Sequence, residues 1–129
     1  MTRNGPMRLV ARNVDAGTVV ATRVNVATKR VERAVGLLGR SGLEPGEALL
    51  ITPCRGVHTW GMRFPIDIIA LDESGVVVDA VPDLGPWRIR LPRRGAVSVL
   101  ELPAGALSQS NTTRGHRIDL QLTPAWEGQ

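Results

Sequence analysis

The sequence predicts an α+β domain of mainly antiparallel strands, closed or half-closed as a small barrel, with one principal helix plus one short helix. Three observations carry that expectation. Val-rich runs recur between Gly, Pro and Asp turn signals at hairpin spacing. Aromatic side chains are scarce, with three Trp, one Phe and no Tyr, so the core falls to Val, Leu, Ile and Ala. Of these, the β-branched residues pack best on a pleated surface. Finally, only one stretch shows a clear helical period. No linker or charge block divides the 129 residues, so the expectation is a single domain over 1–129 with loose ends at about 1–6 and 124–129.

The elements follow in chain order. Arg8 to Asn13 and Thr18 to Ala27 read as two strands of a hairpin around Asp15-Ala16-Gly17. Thr28 is a candidate N-cap, and Val31, Ala34, Val35 and Leu38 fall on one helical face that stops at Gly39. A turn with Pro45 leads to a short apolar strand, Ala48 to Thr52, ended by Pro53. The stretch from Pro53 to Pro65 is too rich in Gly and Pro to be regular. Ile66 to Leu71 reads as a strand apolar on both faces, Asp72 to Gly75 as a turn, and Val76 to Val81 as its hairpin partner. Further strands are expected at Trp87 to Leu91, Ala96 to Leu102 and Arg117 to Leu122. GLLGRSGLEPGEALLI from Gly36 and GALSQSNTTRGHRIDL from Gly105 share Gly, Leu, Ser and Gly at equal offsets. Repeated, that pattern reads as a short helix, a Gly turn and a strand.

Composition narrows the function classes. Cys54 is the only cysteine, so the chain needs no oxidising compartment, and a cytoplasmic location is the expectation. No segment approaches the apolar length of a membrane span. The formal charge of +4 comes almost wholly from Arg, densest at Arg88, Arg90, Arg93 and Arg94. Without stacking aromatics or a recognition motif around them, these argue for a solvated basic surface and against nucleic acid.

The most distinctive segment is PCRGVHTWGMRFPIDIIALD, Pro53 to Asp72, flanked by GLLGRSGLEPGEALLI before it and by PWR and VLELPAG after it. On these residues the chain resembles the Domain of Unknown Function 192 family from the predicted helix onward. The resemblance implies a compact mixed domain without an established activity. It also implies Asp after the glycine that is Gly115 here, where this chain has His116.

The residues themselves point to the same segment. An irregular connection of about a dozen residues between two apolar strands is uncommon in a compact domain unless it serves a function. Cys54, His58, Thr59, Trp60, Met62, Arg63 and Asp67 crowd into it and the strand that follows. One reading has the loop satisfying its own backbone, with Trp60, Met62 and Phe64 plugging it onto the sheet. A second makes it one wall of a pocket for a small polar or anionic ligand, with Arg63 and His58 as donors and Trp60 or Trp87 as a stacking surface. A third makes Cys54 a nucleophile, His58 its base and Asp67 a carboxylate, as in a small hydrolase or transferase. Cys54, His58 and Met62 also form a soft-ligand series, but the second imidazole is missing and only His116 is left to supply it, so neither a metal site nor a cofactor is expected.

Asp67 carries the clearest physical argument, because an ionised carboxylate on a strand apolar on both faces must be paired or hydrogen-bonded. Arg63 and free loop N–H groups are the candidate partners. Glu101 is a weaker case on a strand face shared with Val97 and Val99, and nothing places it beside Asp67. The function expected is therefore a binding or accessory module, monomeric or weakly dimeric, with its pocket under the Pro53 to Pro65 loop. The enzyme is the alternative and a nucleic-acid-binding barrel the third reading.

Overall fold

The computed structural model describes residues 6–27, 42–53, 57–58, 64–85, 89–90 and 94–124, with 57–58 and 89–90 described through their backbone. The predicted helix beginning at Thr28 lies outside these residues. Strand β1, Met7–Asn13, turns through residues 14–17 into β2, Thr18–Ala21, the expected hairpin. Asn13 closes the turn by accepting the N–H groups of Asp15 and Ala16 on its Oδ1 at 3.1 and 2.9 Å.

The run from Thr18 to Ala27, expected as one strand, is two. The chain bends at Thr22 and continues as β3, Arg23–Ala27, in a different sheet. The bend is held from outside, since the N–H groups of Thr22 and Arg23 both donate to the Gly46 carbonyl, at 2.9 and 3.0 Å. Gly46 is at φ +83, and a Cβ on it would lie 2.6 Å from Thr22 Oγ1. No other residue type fits that approach without displacing Thr22.

β4, Glu47–Ile51, runs parallel to β3, an exception to the otherwise antiparallel pattern. β5 is Val57–His58, β6 Ile66–Leu71, β7 Val77–Leu84, β8 Ile89–Arg90 and β9 Ser98–Pro103. A short helix α1, Ala106–Ser110, precedes β10, Ile118–Pro124. The sheets are ordered β10-β1-β2, β3-β4-β9-β6-β7 and β5-β8.

This topology does not confirm the closed or half-closed barrel: among the described residues no sheet closes on itself. β3 and β7 are the edges of the five-stranded sheet, and β7 reaches toward β10 only through the Val76–Arg117 bridge and the adjoining bonds of residues 115–118. Pro82, within β7, is tolerated because an edge strand has an N–H position to spare.

The five-stranded sheet has two apolar faces. Val24, Leu50, Ile69, Leu100 and Leu102 point to a first cluster with Ala11 and Val20 of the small sheet and Ala106 and Leu107 of α1. The alternate residues Ile66, Ile68, Ala70 and Val99 join Ala96 in a second cluster, against which Leu43, Leu49, Phe64 and Leu84 pack. β6 is buried at all six positions because it contributes to both.

Candidate functional site

Two long connections leave the second face, one from β4 to β6 and one from β7 to β9. Phe64 at the end of the first, and Leu84 and Ala96 at the two ends of the second, belong to the second cluster. Between these anchors the connections meet: β5 pairs antiparallel with β8, Val57 opposite Arg90 and His58 opposite Ile89. The ladder therefore brings His58 beside Ile89, joining two segments with no visible link in the sequence. Cys54, Thr59, Trp60, Met62, Arg63 and Trp87 lie outside the described residues.

Glu101 lies on the sheet face beneath these anchors. It is opposite Leu49 on one neighbouring strand and Ile68 on the other. Directly paired residues point to the same side of a sheet, so the Glu101 side chain shares the second face with both. It is 4% exposed, and no described residue donates a hydrogen bond to it. Burial among apolar neighbours pushes its carboxyl up to about 7, because the charged form loses hydration. Glu47, two residues before Leu49, and Asp79, opposite Ala70, bring two more buried carboxylates to this side of the sheet. Glu47 Oε1 accepts the Glu44 N–H at 2.9 Å. The alternation of β4 is the signal that puts Glu47 with Leu49, and a strand expected to start one residue later misses it.

Asp67 is placed differently. It is opposite Leu102, so it faces the first cluster, and its 1% exposure is matched by full satisfaction. One oxygen accepts the Asp83 N–H at 2.8 Å, and the other those of Gly105 and Leu107 at 3.1 and 2.9 Å. α1 has no side-chain cap of its own, its N-cap Gly105 being left-handed, and Asp67 supplies the missing acceptor from another strand. Asp67 and Glu101 are thus one register step apart and on opposite faces, so they do not converge on one reacting atom.

His116 belongs to a third polar group. Asn13 Nδ2 lies 3.0 Å from both Thr112 Oγ1 and His116 Nδ1, and Nδ1 also accepts the Thr113 N–H at 3.3 Å. The turn repeats the earlier one, since Glu44 and Glu47 stand at the offsets of Thr113 and His116 and make the same side-chain closure. The main-chain bond recurs too, from Glu47 N to Glu44 O and from His116 N to Thr113 O. The weak internal match in the sequence therefore marks one turn used twice. Among the described residues no three His, Cys, Asp or Glu side chains gather as a metal site. No helix among them is long and apolar enough to cross a membrane.

Comparison with known proteins agrees with this architecture. The DUF192 family, described as Uncharacterized ACR, matches residues 11–120. The chain is 34% identical over 103 residues to a UPF0127 protein of Pyrococcus abyssi, covering 75% of this chain and 85% of that one. A UPF0127 protein of Thermococcus sibiricus is 31% identical over 117 residues, covering 85% and 73%. Among solved structures, a protein of unknown function from Novosphingobium aromaticivorans superposes with a TM-score of 0.73 at 22% identity, over 86% of this chain and 82% of that one. A putative transcription regulator from Sinorhizobium meliloti gives 0.75 at 20%, over 88% and 92%. At those identities the likeness is one of fold.

Proposed function

The chain belongs to the DUF192 family, described as uncharacterised, and from that premise we propose that it works as a small binding or accessory module. Its pocket is assigned to the second face of the five-stranded sheet, under the Pro53 to Pro65 loop. The β5–β8 ladder carries this reading: it ties together the two segments that hold Cys54, His58, Thr59, Trp60, Met62, Arg63 and Trp87, while their anchors Phe64, Leu84 and Ala96 sit on that face. An apolar floor with a few polar groups is the usual make-up of a small-molecule site. In the alternative enzyme, Asp67 would have to serve as the carboxylate. Its three backbone bonds favour giving it to the architecture instead.

The reading is tested by amide-resonance NMR against a fragment library. Binding fragments are expected to move the resonances of Leu49, His58, Ile68 and Val99 and to leave Val10, Val20 and Ile118 in place. A library that shifts only the second group, or neither, refutes the site.

A further inference from the structure

We propose that the outer edge of β7 is a docking groove for a short extended peptide that carries a carboxylate side chain, with Arg94 and Arg114 as the groups that take the acid. The groove is separate from the pocket assigned to the second face and stands without it. Its first support is shape. A cleft of about 660 Å³ is lined by Val77, Val78, Arg94, Arg114 and Gly115. Val77 is buried in the first cluster and Val78 packs against the second, so a cleft that touches both opens at the rim of the five-stranded sheet. A second cleft of about 610 Å³ follows along the same strand, with Ala80 and Pro82 on one wall and Leu107, Ser108, Asn111 and Thr113 on the other. Arg114 lines both, so the two make one course along β7.

The second support is the strand itself. Val77 already pairs outward: its N–H donates to the His116 carbonyl at 2.8 Å, and its carbonyl accepts the Gly115 N–H at 2.9 Å. This segment lays a strand against the start of β7, and the clefts begin where it turns off at Arg114. An extended peptide would continue that pairing along the edge, the common way for a sheet to take a partner. The far end is set by Pro82, which has no N–H to give, and by Asp83, whose N–H is held by Asp67. Main-chain pairing is therefore confined to the stretch from Val78 to Val81.

The third support is charge. Arg94 and Arg114 are both exposed and both line the first cleft, so two cationic residues frame one end of the groove. The acids of β7 do not oppose them: Asp79, opposite Ala70, is buried toward the second face, and Asp83 lies past the other end. A carboxylate complements the arginine end. The aliphatic lining of Val77, Val78, Ala80 and Leu107 favours a peptide over single-stranded nucleic acid, which binds through aromatic stacking faces.

Four probes, titrated into the full chain and followed by amide-resonance NMR, decide the matter. They are acetyl-Thr-Val-Glu-Val-amide, its glutamine counterpart, the glutamate peptide with its central amides N-methylated, and a uridine hexanucleotide. The glutamate peptide is expected to move Val78, Ala80 and Gly115, to leave Leu49 and Ile68 in place, and to bind roughly fivefold tighter than the glutamine one. N-methylation should weaken it about tenfold by removing strand donors. Arg94→Gln and Arg114→Gln, both at exposed positions, should each narrow the glutamate preference and together abolish it. Equal binding of the glutamate and glutamine peptides, or a preference that survives the double variant, overturns the role of the arginines. An N-methylated peptide that binds as well as its parent overturns strand docking on β7. Shifts confined to Leu49 and Ile68 place the peptide on the second face and overturn the groove, as does silence from every peptide. A response to the hexanucleotide alone makes the cleft a nucleic-acid site and overturns the peptide.

Discussion

Asp67 and Glu101 stand one register step apart on neighbouring strands, both almost completely buried, and they do opposite things. Asp67 faces the first cluster and is saturated by the N–H groups of Asp83, Gly105 and Leu107, so its charge joins β6 to the end of β7 and to the start of α1. Glu101 faces the second cluster among aliphatic side chains, and burial there pushes its carboxyl up to about 7. Two acids of similar depth therefore differ because of what meets them. Asp67 is held by three backbone donors, and Glu101 is set among aliphatic neighbours.

The largest expected effect tests the first half of that contrast. Asp67→Ala strands three backbone donors in the interior and should cost about 3–5 kcal/mol in urea unfolding. Asp67→Asn should recover part of this, because its amide oxygen can still accept on one side. A loss no larger than that of Glu101→Gln would break the distinction between the two acids.

The second prediction concerns pH. The Glu101 carboxyl is raised from 4.5 to about 7 in the folded chain, so the native state holds a proton that the unfolded state releases. Stability should then be greatest, as far as this group is concerned, below 4.5, and should fall as pH rises to about 7, by up to about 3 kcal/mol. Glu101→Leu should abolish that decline and leave the protein more stable than wild type at about pH 8. Urea midpoints at the two ends of the window measure it, and identical slopes in wild type and variant would show that the carboxyl is hydrated after all.

Smaller still is the effect at the repeated turn. His116→Ala removes one acceptor and should cost about 1 kcal/mol. His116→Asp, which places a carboxylate where the equivalent turn uses Glu47, should stay close to wild type. Thermal denaturation that ranks the aspartate variant with the alanine one would argue against the equivalence of the two turns.

Much of this contrast was legible in the residues, and the missing parts have physical causes. The alternation and turn chemistry around Asp15-Ala16-Gly17 and Asp72 to Gly75 located two hairpins, because hairpins are local. A carboxylate on a doubly apolar strand announced that Asp67 must be satisfied. Its donors could not be read, since they come from residues 16, 38 and 40 positions away, and a backbone N–H leaves no mark in a sequence. The break at Thr22 was equally hidden, because the run Thr18 to Ala27 is continuous in propensity and the bend is imposed by Gly46 from another part of the chain. The strand bearing Glu101 was foreseen, yet which cluster it would face depended on its pairing with β4 and β6. Likewise, the crowding of chemistry between Pro53 and Pro65 was plain, while its link to the segment of Trp87 rests on a ladder of two residues a side.

The five-stranded sheet has one further consequence. Its strands are written in two interleaved alphabets, one read by the interior against the small sheet and α1, the other by the connections above. Leu50, Ile69, Leu100 and Leu102 spell the fold, and Leu49, Ile68, Val99 and Glu101 spell the other side. Because the two sets share a backbone but belong to separate clusters, substitutions in the second can change residue by residue while the first stays intact.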